Sequence, residues 1–141
     1  MATCTILFLM ACTFPKDPQH TFSNAKVEGL AIGVVQNPPF TLIRDSSFSG
    51  TEITLLEQFC KKENLDHHFE TGNETDLIKK LSKYELDIVV GGFKKKTVWK
   101  KEVGMTQPYD SAHVFFVPKG ENRLVYTLER FFIQNKQHGA K

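Results

Sequence analysis

Leu86 to Tyr109 reads LDIVVGGFKKKTVWKKEVGMTQPY, and the fold turns on this stretch. A short aliphatic run, Ile88, Val89 and Val90, meets the pair Gly91-Gly92. An unbroken apolar run this short, bounded by turn residues, is the pattern of a strand buried on both faces. Two residues without side chains then let a ligand or a neighbouring backbone come close. Three lysines follow, and Thr97 to Val103 has helix-forming character. A helix starting there offers unpaired N–H groups beside the glycines, a place to hold an anion.

Upstream, Leu30 to Val35 is a second buried run, stopped by Asn37-Pro38-Pro39 because proline cannot donate to a ladder. Phe40 to Ile43 continues as a brief strand into a turn at Asp45-Ser46-Ser47. Ser49 and Glu52 have capping-box spacing, and Ile53, Leu56 and Cys60 behind them share one helical face. His67 to Glu70 reads as a strand, and Asn73 as the cap of a helix carrying Leu77, Ile78, Leu81 and Tyr84 on one side. Downstream, Tyr109 to Val117 reads as a strand and Pro118-Lys119-Gly120-Glu121 as a turn. A last helix starts at Asn122, with Leu124, Val125, Leu128, Phe131 and Phe132 toward a core and Gly139 as its end cap. Strands alternating with helices predict an α/β fold: a mainly parallel, flavodoxin-like sheet with helices on both faces. Ligands in such sheets sit beyond the carboxyl ends of the strands. Here those ends bring Gln36-Asn37 and Gly91-Gly92 to one edge.

With 141 residues the chain is long enough for one domain with a real core. A net charge of +2 is too small to argue for a nucleic-acid partner. Twelve Phe against one Trp and three Tyr suggest a Phe-packed core. Thr5 to Ala11 is apolar but too short to span a membrane. Leu9-Met10-Ala11-Cys12 has the look of a lipobox, with Cys12 as the lipidated residue; a buried N-terminal strand is the other reading. On the first reading, residues 1–12 are a lipoprotein signal, 13–28 a polar tether, 29–135 the folded lobe and 136–141 a tail. Cys60 then remains as a buried structural thiol.

Chemistry beyond binding has little support in the residues. His67 and His68 are adjacent in a strand and point to opposite faces. His113 and His138 lack partners at ligand spacing, so no metal site is expected. Glu52, Asp87 and Asp45 read as a cap, a strand-end residue and a turn residue. Gly91-Gly92 lacks the wider phosphate-binding fingerprint. No acid/base set stands out, and the chain is expected to be neither an enzyme nor a holder of a cofactor.

Asp87 with its aliphatics, Gly92, Thr97, Lys100 and Thr106-Gln107-Pro108-Tyr109 together resemble the signature of the bacterial extracellular solute-binding proteins of family 3, the type II periplasmic binding proteins. Leu30 to Val35 with Asn37-Pro38-Pro39-Phe40 resembles the family's first strand and turn, and Gly50 to Leu56 its next helix start. The resemblance covers roughly Leu30 to Pro118, with a weaker tail to Phe132. It implies a periplasmic or cell-surface protein, attached to the membrane only through a lipid anchor, with a small amino acid or organic acid as solute. A transporter or receptor is the implied partner. Family members close two lobes on the solute. Here the strand after Tyr109 runs through Lys119-Gly120-Glu121 straight into the terminal helix, so a single lobe is expected.

The resemblance places the ligand edge at Asn37, Phe40, Gly91, Gly92, Phe93, Thr97, Lys100 and Tyr109. Thr97 and Lys100 would hold the solute carboxylate, Lys100 standing where the family has an arginine. Lysine is a point charge without arginine's fork. Counting from Asp87 instead puts Lys96 and Trp99 at those two positions. Phe40 and Tyr109 each read equally as site or packing residues, and Trp99 as a cleft wall or a seal on the sheet. An open half-cleft buries less solute than the ~70–90% usual for small-ligand sites, so weak binding is expected. The alternative reading is an interaction module or homodimer using the edge left by the absent lobe.

Overall fold

The computed structural model describes residues 17–139. The signal reading, Cys12 and the start of the expected tether lie outside them. The sheet core is laid down by β1 (Leu30–Val34), β4 (His67–Thr71) and β5 (Ile88–Lys94), flanked by β6 (Gly104–Met105) and β7 (His113–Val117). The strand order is β4-β1-β5-β7-β6. The first three strands are parallel, with Ile32 opposite Phe69 on one side and Ile88 on the other; β7 and β6 run antiparallel. The expected parallel arrangement therefore holds through β5; β7 runs against it, and the edge strand β6, antiparallel to β7, returns to the direction of β5. A separate hairpin, β2 (Leu42–Arg44) and β3 (Ser47–Ser49), turns through Asp45 and Ser46, both at positive φ. That is the tight two-residue turn whose twist suits a hairpin.

Alternation along the strands divides the apolar side chains between two layers. Leu30, Ile32, Val34, Ile88, Val90, Phe115 and Val117 face α1 (Thr21–Glu28), α2 (Thr51–Glu63) and α4 (Asn122–Gly139). Val89, Val114 and Phe116 face α3 (Glu74–Ser82) with its Leu77, Ile78 and Leu81. Asn73 caps α3 as expected, its Oδ1 accepting from the Asp76 N–H at 2.9 Å. Cys60 is buried in the larger layer, where burial pushes its thiol up to about 12. Only Pro118 to Glu121 separate β7 from α4.

Four expectations need correction. Residues 21–28, read as tether, form α1, with Phe22 and Ala25 in the core. The first N–H of the helix and one just before it are met from far along the chain: Glu121 accepts from Thr21 N at 2.9 Å and from Gln19 N at 2.8 Å. Ser49 does not cap α2. Gly50 occupies the N-cap at φ 118, and a Cβ there would meet the Phe40 carbonyl oxygen at 2.3 Å. The segment expected as a helix from Thr97 to Val103 is a single 3-10 turn, Val98–Lys101, with Thr97 at its cap. Finally, the strand expected from Tyr109 begins at His113, because Asp110 Oδ1 ties the Ala112 and His113 N–H groups into a turn at 2.8 and 2.7 Å.

Candidate functional site

The glycine pair does not end its strand. Pairing with β7 runs from Val89–Phe116 to Phe93–Val114, four steps on β5 against two on β7. Gly91-Gly92 is the extra length, a bulge at the point where β1 stops pairing after Val90. Gly92 takes a left-handed φ of 67°. A Cβ there would meet Phe40 Cδ2 at 2.5 Å and Asn37 Nδ2 at 2.7 Å, so the missing side chain makes room for both.

The loop after β1 is folded onto this bulge by its own hydrogen bonds. Asn37 and Thr41 exchange backbone bonds at 3.0 and 3.1 Å, and Asn37 Nδ2 donates to the Gly91 carbonyl at 2.8 Å. The Pro38-Pro39 peptide is cis. The carbonyls of Pro39 and Phe40 accept the Thr51 and Glu52 N–H groups at 3.2 and 3.0 Å. The start of α2 is thereby satisfied from within the chain.

Glu52 is the group that sequence reasoning placed wrongly. It caps nothing. Its carboxylate is fully buried behind the bulge, Oε2 accepting from the Gly92 N–H at 3.0 Å and Oε1 from the Tyr109 hydroxyl at 2.7 Å. Burial raises its pKa above the usual carboxylate range; the Gly92 N–H, the Tyr109 hydroxyl, the Gly91 N–H and the His113 ring act against that. Burial, with the Glu52 charge adding to it, also raises the Tyr109 pKa. In front stands His113. Its ring centroid is 4.3 Å from that of Phe40, and its Nδ1 lies 2.7 Å from Asp110 Oδ2. Burial acts to raise the Asp110 pKa, but the Ala112 and His113 N–H groups and the His113 ring more than reverse it, and it lies below the usual range. An acid/base set therefore does stand at this edge, contrary to expectation. It is bonded largely to itself, since both Glu52 oxygens are occupied.

Asn37, Phe40, Gly91, Gly92 and Tyr109 thus converge on one edge, joined by Glu52, Asp110 and His113. No side-chain hydrogen bond joins the other expected site residues to this cluster among the described residues, although the Phe93 ring lies against Gly91. Phe93 stacks on Phe116 with centroids 4.2 Å apart and belongs to the α3 layer. Thr97 Oγ1 accepts from the Trp99 N–H at 3.3 Å, and no hydrogen bond joins Thr97 to Asn37, Phe40 or Gly92 among the described residues. Trp99 seals the turn against α3 through a hydrogen bond to Glu74, the packing reading of that residue. Lys100 is exposed and has no partner among the described residues. Also among the described residues, no group of three or more His, Cys, Asp or Glu is placed to hold a metal ion, and no helix is long and apolar enough to cross a membrane.

The chain has relatives. A probable histidine-binding protein of Campylobacter jejuni is 27% identical over 107 residues, 74% of this chain and 42% of the relative. The chain thus spans less than half of that protein's length. The arginine-bound form of domain 1 from TmArgBP superposes with a TM-score of 0.67 at 17% identity, over 74% of this chain and 91% of that one. An ancestral cationic amino acid solute-binding protein gives 0.77 at 14% identity, over 85% and 95%. At such identities the two structures speak for the fold alone. Residues 30–138 match the sequence model of one family across both the parallel strands and the terminal helix, and the chain belongs to the bacterial extracellular solute-binding proteins, family 3.

Proposed function

We propose that this chain is an extracytoplasmic, non-enzymatic solute-binding lobe that holds an amino acid or a related organic acid at the carboxyl-end edge of β1 and β5. The observation that carries the reading is the Asn37–Gly91 hydrogen bond at 2.8 Å, which ties the loop after β1 to the bulge within β5, beside the Phe40–His113 ring contact. Phe40 and Tyr109 supply the apolar wall, each half-buried. Lys100 supplies the charge that attracts a carboxylate, with Thr97 beside it. The charge has to come from a side chain, because the dipole of one 3-10 turn is short. The arginine-bound domain 1 supports the idea that a single domain of this fold holds a solute. The similar proteins named above are binding proteins, which supports binding over turnover. A lipid anchor at Cys12 and a transporter or receptor partner belong to the same proposal.

Isothermal titration with arginine, histidine, glutamine, glutamate and small dicarboxylic acids tests it. An open lobe should bind at least one with a Kd of roughly 10 μM to 1 mM, about 4–7 kcal/mol. Lys100→Ala should weaken that binding about tenfold, the loss of ~1.4 kcal/mol. Heat from none of these solutes would overturn the reading, and so would a Lys100→Ala variant that binds as the parent does.

A further inference from the structure

The loop beyond the bulge has a character that solute binding does not require. Lys94, Lys95, Lys96, Lys100 and Lys101 are all exposed, and residues 94–101 contain no acid. The whole chain carries +2, so the remainder carries −3 once those five are set aside. Five of the chain's eighteen Lys and Arg therefore fall within eight residues, while the other positions sum to a negative charge. Within this stretch Val98 is 85% exposed, an apolar side chain with lysines on both sides in the sequence. The loop is held in place: Trp99 is bonded to Glu74 on α3, Val103 is buried, and Lys95 Nζ donates to Gln107 Oε1 at 2.6 Å.

We propose that this loop docks the protein on an anionic phospholipid surface, with Lys94, Lys95, Lys96 and Lys101 over the headgroups and Val98 entering between them. The chemistry favours a bilayer over a nucleic acid. Base stacking needs a free aromatic ring, and Trp99 is committed to α3. Exposed lysines beside an exposed aliphatic side chain instead combine the two terms that hold peripheral proteins at a charged interface.

Co-sedimentation of the full chain with vesicles tests this. Binding is expected to vesicles rich in phosphatidylglycerol, to be much weaker with pure phosphatidylcholine, and to fall between low and physiological salt. Each lysine at an anionic surface contributes about fivefold, so Lys96→Gln with Lys101→Gln should weaken binding roughly 25-fold. Val98→Asn should weaken it several-fold at unchanged salt dependence. All three positions are exposed, so folding should be kept, and circular dichroism checks it. Equal binding to both vesicle types would overturn the proposal, as would a double variant that binds like the parent. Partition through the apolar residues 5–11 would give that result, being indifferent to the lysines. Tighter binding to a DNA oligonucleotide than to anionic vesicles would also overturn it.

Discussion

Removing the buried carboxylate with Glu52→Ala strips the bulge of its only side-chain acceptor among the described contacts. The Gly92 N–H and the Tyr109 hydroxyl are then left facing a void. Each unsatisfied buried group costs about 1–3 kcal/mol, so the loss should be about 2–6 kcal/mol. That is a large share of a typical ~5–15 kcal/mol stability. Glu52→Gln should behave differently. Its amide oxygen can accept from Gly92, and its NH2 can donate to the Tyr109 oxygen, since a phenol also accepts. It should cost less than ~1.5 kcal/mol at neutral pH. The sign with pH follows from the raised pKa. The folded state binds the Glu52 proton more tightly than the unfolded chain does. The stability this contributes is complete below the ordinary carboxylate range and is lost as pH rises through the folded-state value. The parent should therefore lose stability relative to Glu52→Gln as pH climbs from about 4 toward neutrality. Urea denaturation across that range measures it. An alanine variant costing no more than the glutamine variant, or a parent–glutamine difference independent of pH, would refute the reasoning.

Gly92→Ala must place a Cβ 2.5 Å from Phe40 Cδ2 in a left-handed backbone, and should cost about 2–4 kcal/mol by urea titration. Phe40→Ala relieves that collision, so in the double variant the penalty of Gly92→Ala should shrink by at least ~1 kcal/mol, a double-mutant-cycle result. Asp110 has a depressed pKa, so its contribution is present above the ordinary carboxylate range and lost as pH falls through its folded value. Asp110→Asn should remove that acid-side loss and loosen the 110–113 turn, read as faster amide exchange at Ala112 and His113. Cys60, with its pKa pushed up to about 12, should resist alkylation at pH 8 until the chain unfolds, as residue-resolved mass spectrometry would show.

The central strands were legible because their signal is local. Leu30 to Val34 and Ile88 to Val90 are uninterrupted aliphatic runs, and burial on both faces demands that. Asn73 announced α3, because its cap lies three residues away. What escaped was set by distant partners. α1 has a weak apolar pattern, and its first N–H is met by Glu121, about a hundred positions on. Glu52 sits at capping spacing from Ser49, yet its carboxylate turns toward a bulge forty residues downstream. No short-range pattern carries that choice. The resemblance found the edge through Asn37, Phe40 and Gly92. His113 and Asp110 were missed because the strand expected from Tyr109 hid the turn that brings them there.

The claim on which the functional reading rests is that solute lodges where the loop after β1 meets the bulge of β5. An NMR titration of the labelled chain with arginine or histidine tests it most directly. The account predicts saturable shifts at the amides of Asn37, Phe40, Gly91, Gly92 and Thr97, with the α3 and α4 amides largely still. Saturable shifts confined to another surface, or none at millimolar solute, would contradict it.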